Sequence, residues 1–327
     1  MKRGCVIGYD INEKGCQISY YDDSMEEPDT MMASSNNYLI PLVLGYFKDR
    51  WVFGKEAKRL AVVGEDCTET DLYGKAKRRE KVSLAGKTYD AVWLLAKYIS
   101  LTLQDFENIQ YLTFTTPETD VDMAKMLKGI GQHIGVDKEI INVQDYKESF
   151  CQYMIFQPKE LWQYESALFY CDEDRIKAYM LRRLRVDASH GMNSFVTVDE
   201  VANAQRKELE ALYPIMNKEK SPDESFKSMI ENVFEKKVIS SVYLTGEGFE
   251  KNWYPNSLRV LCNGRRAFMG NNLYSKGACY KSIRKCEPND DGPIYLDETK
   301  LTERICLRMR VDGQEGWYPL VTWGTHW

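Results

Sequence analysis

Residues 4–23 read GCVIGYDINEKGCQISYYDD. An apolar run ends at Asp10, a few polar residues follow, and a second run leads away from them. The β-branched and aromatic content of the two runs predicts strands over 4–9 and 16–21, joined by a tight turn at Asn12-Glu13-Lys14.

The chain continues in the same manner. NYLIPLVLGYF and RWVFGKEA predict a further strand pair around Lys48-Asp49, and helical spacing appears in Tyr89 to Phe106. IQYLTFTTP is a buried strand stopped by Pro117, and a helix from Val121 ends at Gly135. Then EIINVQ predicts a strand, DYKESFCQYMIFQ a helix, and SALFYC with IKAYMLRRL a hairpin around Asp172-Glu173-Asp174-Arg175. Two helices are expected near 198–213 and 222–236, then strands at ISSVYLTG and LRVLC and a helix at NNLYSKGACYKSI. A hairpin-led sheet with helices thus occurs twice, which predicts two related α/β lobes with a cleft between them. From Pro288 to Trp327 only short strands and turns are expected, the beginning of a β module. A chain ending there leaves an unpaired edge, so a further C-terminal module of the same chain is expected. Trp317, Tyr318, Trp323 and Trp327 would face it.

Composition narrows the function. The 327 residues are 43% hydrophobic, enough for two cores, and 44 Lys and Arg against 49 Asp and Glu give a net charge of −5. That balance argues against a nucleic-acid partner, which needs a basic face. The basic run from Lys75 to Lys81 is local and reads as a solvated face. No apolar run is long enough for a membrane span. Nine Cys without CxxC spacing point to reduced thiols and a cytoplasmic protein, and three scattered His argue against zinc.

The order of these segments resembles the actin, sugar-kinase and heat-shock-chaperone ATPase superfamily, and most closely the nucleotide-binding domain of the seventy-kilodalton chaperones. IGYDINEKGCQISYY stands where that family carries Asp-Leu-Gly-Thr-Thr, and FGKEAKRLA is similar to its Gly-x-x-Ala-Lys-Arg pattern. LTFTTPETD, GVDKEIINVQDYKESFCQY, VYLTGEGFEKNW and NLYSKGACYKS are similar to four later family segments in the same order. The resemblance covers residues 4 to 286 and implies a two-lobed, actin-like (ribonuclease H-like) α/β fold with duplicated sheets. Lobe I would span 1–140, lobe II 141–286 with a shortened outer subdomain, and the β-rich segment 287–327.

By that resemblance Asp10 is the acid that meets magnesium, Asn12 and Lys14 touch phosphate, and Asp145 orients the attacking water. Gly246, Glu247, Gly248 and Gly277 would line the adenosine of ATP or ADP, and Lys77 would reach the terminal phosphate. Each has a plainer reading as well. Asp10 can cap a turn, Asp145 a helix, and the glycines can serve turns or packing, while Lys77 sits in a solvated run.

The departures from the family matter more. Glu13 sets a negative charge where phosphate would lie, and Cys171-Asp172-Glu173-Asp174-Arg175 replaces a glycine-rich second loop with three carboxylates in a row. Like charges about 4 Å apart repel by roughly 4 kcal/mol at an effective dielectric near 20. The expectation is a non-hydrolysing interaction or regulatory scaffold with a protein partner and low affinity for nucleotide. The alternative is an active chaperone-like ATPase using Mg-ATP. A small-molecule kinase lacks an evident catalytic base.

Overall fold

Gly8 sets the layering of the first sheet. A Cβ there would lie 2.1 Å from the Ser275 carbonyl oxygen and 2.2 Å from the Cys279 nitrogen, so a helix backbone rests directly on the strand. The computed structural model describes residues 4–34, 37–63, 67–184, 194–205, 221–287, 292–298, 300, 305–321 and 325. The fold is mixed α/β, and the chain divides into two units. One is Met1–Phe156 with Asn271–Asp290, the other Gln157–Gly270 with Asp291–Trp327.

In chain order the first elements are β1 (Cys5–Ile11), β2 (Gly15–Tyr21), β3 (Asp29–Thr30), β4 (Ile40–Pro41), β5 (Leu44–Phe47) and β6 (Arg50–Phe53). Next come α1 (Gly54–Val63), β7 (Thr68–Glu69), α2 (Leu72–Lys77), β8 (Lys81–Leu84), β9 (Lys87–Asp90) and α3 (Ala91–Thr102). β10 (Ile109–Thr116), α4 (Val121–His133), β11 (Ile141–Asp145) and α5 (Tyr146–Ile155) follow. Then β12 (Glu165–Cys171), β13 (Arg175–Leu184), β14 (Phe195–Gln205), α6 (Pro222–Phe234), β15 (Ile239–Thr245), α7 (Pro255–Leu261) and β16 (Arg266–Met269). α8 (Leu273–Cys286), β17 (Ile294–Tyr295), β18 (Ile305–Val311) and β19 (Gln314–Val321) complete the described elements.

The first unit's sheet runs β11-β10-β1-β2-β3, with β4 also on β2. β1 is antiparallel to β2 and parallel to β10, which is parallel to β11. Alternation along β1 divides its side chains between two layers. Ile7, Tyr9 and Ile11 enter an apolar core with α3 and α4, where the Tyr9 hydroxyl meets Thr102 Oγ1 at 2.8 Å. Gly8 and Asp10 face α5 and α8 instead. That second layer is small and polar, joined by Ser19–Ser275 at 2.8 Å, Thr113–Ser282 at 2.8 Å and Thr115–Ser149 at 2.6 Å. Both α5 and α8 belong to this unit, so the division differs from the boundaries expected at 140 and 286.

The second unit's sheet runs β16-β15-β12-β13-β14-β17. β12 is antiparallel to β13 and parallel to β15, β15 is parallel to β16, and β13 is antiparallel to β14. The leading hairpin, the strand antiparallel to its second arm and the two parallel strands beside its first arm thus recur in both sheets. Phe169, Phe226 and Phe249 anchor this core, with Phe169 and Phe226 edge to face at 5.4 Å.

Two expected elements are corrected. The helix near 198–213 is strand β14 as far as Gln205, and residues 206–213 lie outside the described residues. Helix-forming Ala202 and Ala204 are overridden because β13 needs an edge partner, which buries Phe195, Val196 and Val198. LRVLC is mostly helix α7, started by Pro255 at its first turn, and the fifth strand is Arg266–Met269.

All nine cysteines are free thiols. Among the described residues no helix is long and apolar enough to cross a membrane. β18 and β19 form a separate hairpin on which Trp317 is 69% exposed. Trp323 and Trp327 lie outside the described residues.

Candidate functional site

β1 delivers Asp10 to the carboxyl end of the parallel strands. It pairs in register with Thr115 of β10, and Thr116 pairs with Asp145 of β11. Ligands of open α/β sheets bind at this end, where strand termini leave backbone groups and side chains for recognition. Asp10 is 3% exposed and accepts a 2.8 Å hydrogen bond from the Tyr146 hydroxyl at the first residue of α5. Tyr146 stacks on Tyr274 of α8, with ring centroids 3.7 Å apart. Its hydroxyl oxygen also accepts from Asn12 Nδ2 at 3.0 Å, so Asp10, Asn12 and Tyr146 form one chain of hydrogen bonds.

Burial pushes the Asp10 carboxyl up to about 7, with the Tyr146 hydroxyl pulling against it. Gln17 pairs across the hairpin with Asp10, and Gln144 pairs with Thr115 in the same row. Both are buried, and their Oε1 atoms have no hydrogen-bond partner. Among the described residues this row of Gln17, Asp10, Thr115 and Gln144 contains no cation to hold Asp10 ionised.

The turn that follows is closed on itself. Asn12 Oδ1 accepts from the backbone nitrogens of Lys14 at 2.9 Å and Gly15 at 3.2 Å, and the Asn12 nitrogen donates to the Gly15 carbonyl at 3.0 Å. Asn12 does not take the positive φ that a phosphate turn would call on. Glu13 and Lys14 are exposed at the tip.

The hairpin of the second sheet repeats this arrangement. Asp172 Oδ1 accepts from the backbone nitrogens of Asp174 at 2.8 Å and Arg175 at 2.7 Å, and the Asp172 nitrogen donates to the Arg175 carbonyl at 3.1 Å. Glu173 and Asp174 are exposed. A phosphate cradle needs backbone N–H groups free to point at the ligand. Here both hairpins direct them to their own Asx side chains, a common way of closing a turn. The residues present at these two turns do not fit a triphosphate.

The remaining candidates take structural roles. Asp145 caps α5, accepting from the Glu148 nitrogen at 2.8 Å. Gly246 has φ 101°, and a Cβ there would lie 2.2 Å from the Cys171 carbonyl oxygen. At Gly248 the same atom would lie 2.3 Å from Cys171 Sγ. Those two glycines, with Glu247 between them, let the end of β15 pass against the hairpin. Gly277 lets α8 cross α5, since its Cβ would lie 2.0 Å from the Ser149 carbonyl oxygen. Lys77 is exposed at the end of α2. The structure therefore groups Asp10 with Asn12, and Gly246 and Gly248 with the hairpin at Asp172.

Tyr146, Tyr274 and Tyr73 escaped the sequence reading. The Tyr73 hydroxyl meets Thr116 Oγ1 at 2.5 Å at the same strand ends. Nothing local distinguishes these tyrosines from core residues. The signal available was the small-residue pattern of Ser149, Ser275, Gly277, Ala278 and Ser282, which marks two helices lying close on a sheet.

Over residues 27–298 the chain matches the family described as "Family of unknown function (DUF5716) C-terminal". The chain belongs to this family. The DUF5716 span begins after β2, so Asp10 and Asn12 precede it, whereas Asp145, Tyr146, Gly246, Gly248, Tyr274 and Gly277 fall within it. No curated protein matches the chain.

Proposed function

We propose that this chain is a non-hydrolysing relative of the actin, sugar-kinase and heat-shock-chaperone superfamily, acting as an interaction or regulatory scaffold in the cytoplasm. The fold half of this reading makes each sheet a ribonuclease H-like lobe of a two-lobed actin-like protein. It is supported by the strand order and strand senses that recur in both sheets, together with the segment order of the sequence. The functional half rests on one observation: the two hairpins that would cradle phosphates spend their N–H groups on Asn12 and Asp172.

A working Mg-ATP hydrolase is the second reading. Asp10, buried at the carboxyl ends of the strands, favours it. Against it stands the cost of ionising a carboxyl that burial holds near 7, with no cation beside it among the described residues.

Melting with and without millimolar Mg-ATP, alongside an assay of released phosphate, separates the two for the native chain and Asp10→Ala. A ligand at a hundred times its dissociation constant stabilises by about 2.7 kcal/mol. The scaffold reading expects no phosphate, with either no shift or a small one. Steady phosphate release that disappears in Asp10→Ala would establish the hydrolase instead.

A further inference from the structure

We propose that the groove between α3 and α4 docks an acidic segment of a partner protein, anchored by an apolar side chain. The proposal stands apart from any reading of the hairpins, because every residue it uses belongs to the first unit and none touches Asp10 or Asn12.

The groove is a cavity of about 400 Å³. Ala96, Met126 and Ile130 form its apolar floor, and Trp93 forms one wall. Trp93 is 39% exposed, yet it is held in place by stacking on Tyr89 at 5.4 Å and by Trp51 at 5.8 Å. A rigid, partly exposed tryptophan is what binding hot spots are built from, since little side-chain entropy is lost when a partner covers it.

Gly129 supplies the opening. It lies inside α4, where glycine weakens a helix relative to alanine. A Cβ at Gly129 would meet nothing within 4 Å, whereas one at Gly131, in the same helix, would lie 2.6 Å from Ile141 Cδ1. Packing within the chain therefore accounts for Gly131 and not for Gly129. The absent side chain leaves space toward the groove.

Charge selects the occupant. Arg79, Lys125 and His133 stand on the rim, all exposed. Among the described residues neither the Arg79 guanidinium nor the Lys125 ammonium has an ion-pair partner, while adjacent Arg78 is paired with Asp71 and Glu80. The one carboxylate in the lining, Asp90, is committed to the start of α3, accepting from the nitrogens of Val92 at 2.8 Å and Trp93 at 3.2 Å. An apolar centre inside a charged rim is the anatomy of a protein interface. The lining of α4 from Lys125 to His133 extends about 12 Å at 1.5 Å per residue, two turns of open groove, which suits a peptide better than an enclosed small molecule.

The test uses the whole chain and a fluorescein-labelled peptide, Glu-Asp-Phe-Glu-Asp-Leu-Leu-Glu, followed by anisotropy. Saturable binding that weakens with added salt is expected. Lys125→Glu should lower affinity about tenfold, and Gly129→Leu, which fills the opening, should abolish binding. Lys251→Glu in the second unit should leave it unchanged, and circular dichroism of each variant establishes that it is folded. Absence of saturable binding would overturn the proposal, as would equal binding by all three variants. Binding of an oligo(dT) strand in preference to the peptide would overturn it in favour of a nucleic acid.

Discussion

Replacing Asp10 by Asn should stabilise the first unit, and do so far more at pH 8 than at pH 5. In the unfolded chain the carboxyl titrates near its ordinary 3.8, and in the fold burial raises it to about 7. The folded state therefore holds the proton more tightly than the unfolded one between those values. Stability falls as pH rises from about 4 to about 7 and is level above, where the penalty is complete. At roughly 1.4 kcal/mol per unit, a gap of about three units is on the order of 4 kcal/mol at pH 8. At pH 5 only the first part of that gap has been crossed, on the order of 1.5 kcal/mol. Asparagine keeps an acceptor for the Tyr146 hydroxyl and removes the charge. The gain from Asp10→Asn should therefore be about 3 kcal/mol larger at pH 8 than at pH 5. Comparing variant with native chain at each pH cancels the contribution of every other group. Native-state hydrogen exchange of peptides covering β1 and β10 is the suitable assay, because it reads this unit without assuming that both units unfold together. Equal gains at the two pH values would refute the reasoning, as would a larger gain at pH 5 than at pH 8.

Three further substitutions probe the packing. Gly277→Ala sets a methyl group against the Ser149 carbonyl oxygen, which belongs to backbone and cannot swing aside, and should cost about 3 kcal/mol in denaturant titration. Asp223→Ala removes the acceptor for the Asn256 nitrogen, the Ser257 nitrogen and the Ser257 hydroxyl, and should cost about 3 kcal/mol at neutral pH. Burial pushes the Asp223 carboxyl up, but the bonds from Ser257 and Asn256 outweigh it and leave it below the ordinary value. Its contribution is present above that ordinary value and fades as pH falls through the lowered one, so the deficit of the variant should shrink in acid. Gly129→Ala should raise the melting temperature, equivalent to about 1 kcal/mol, because the new methyl group meets nothing; a loss would mean that α4 needs glycine there for its own backbone.

The parts of this molecule that could be read from residues alone are those decided by neighbours along the chain. β-branched and aromatic content located β1 and β2, and Gly135 after Ile134 ended α4 where expected. Where distant neighbours decide, reading failed. β14 carries helix-forming alanines yet pairs along β13, and Leu258 sits in a helix because Asp223, far away in sequence, holds that helix's first N–H groups. The site divided in the same way. Asp10 could be singled out as a carboxylate at a strand end, but its partner Tyr146 follows 136 residues later. Gly246 and Gly277 were conspicuous as glycines, while their purpose, room for Cys171 and Ser149, required the fold.

The closed hairpins bear on function through a difference, not an absence. For a phosphate to occupy the turn after β1, Asn12 would have to release the nitrogens of Lys14 and Gly15 and give up Tyr146 as well. At about 1 kcal/mol net for each such bond, that is roughly 3 kcal/mol before any phosphate contact is counted. The second hairpin makes a comparable demand of its own, two bonds to Asp172, and carries Glu173 and Asp174 exposed at its tip. Asp10 adds the cost of ionisation. Each demand would lower affinity at its own hairpin, by a factor of ten for every 1.4 kcal/mol. What the same contacts provide is local order: two hairpin tips closed by Asn12 and Asp172, with Glu13, Lys14, Glu173 and Asp174 exposed. That closure is what supports the scaffold proposed above.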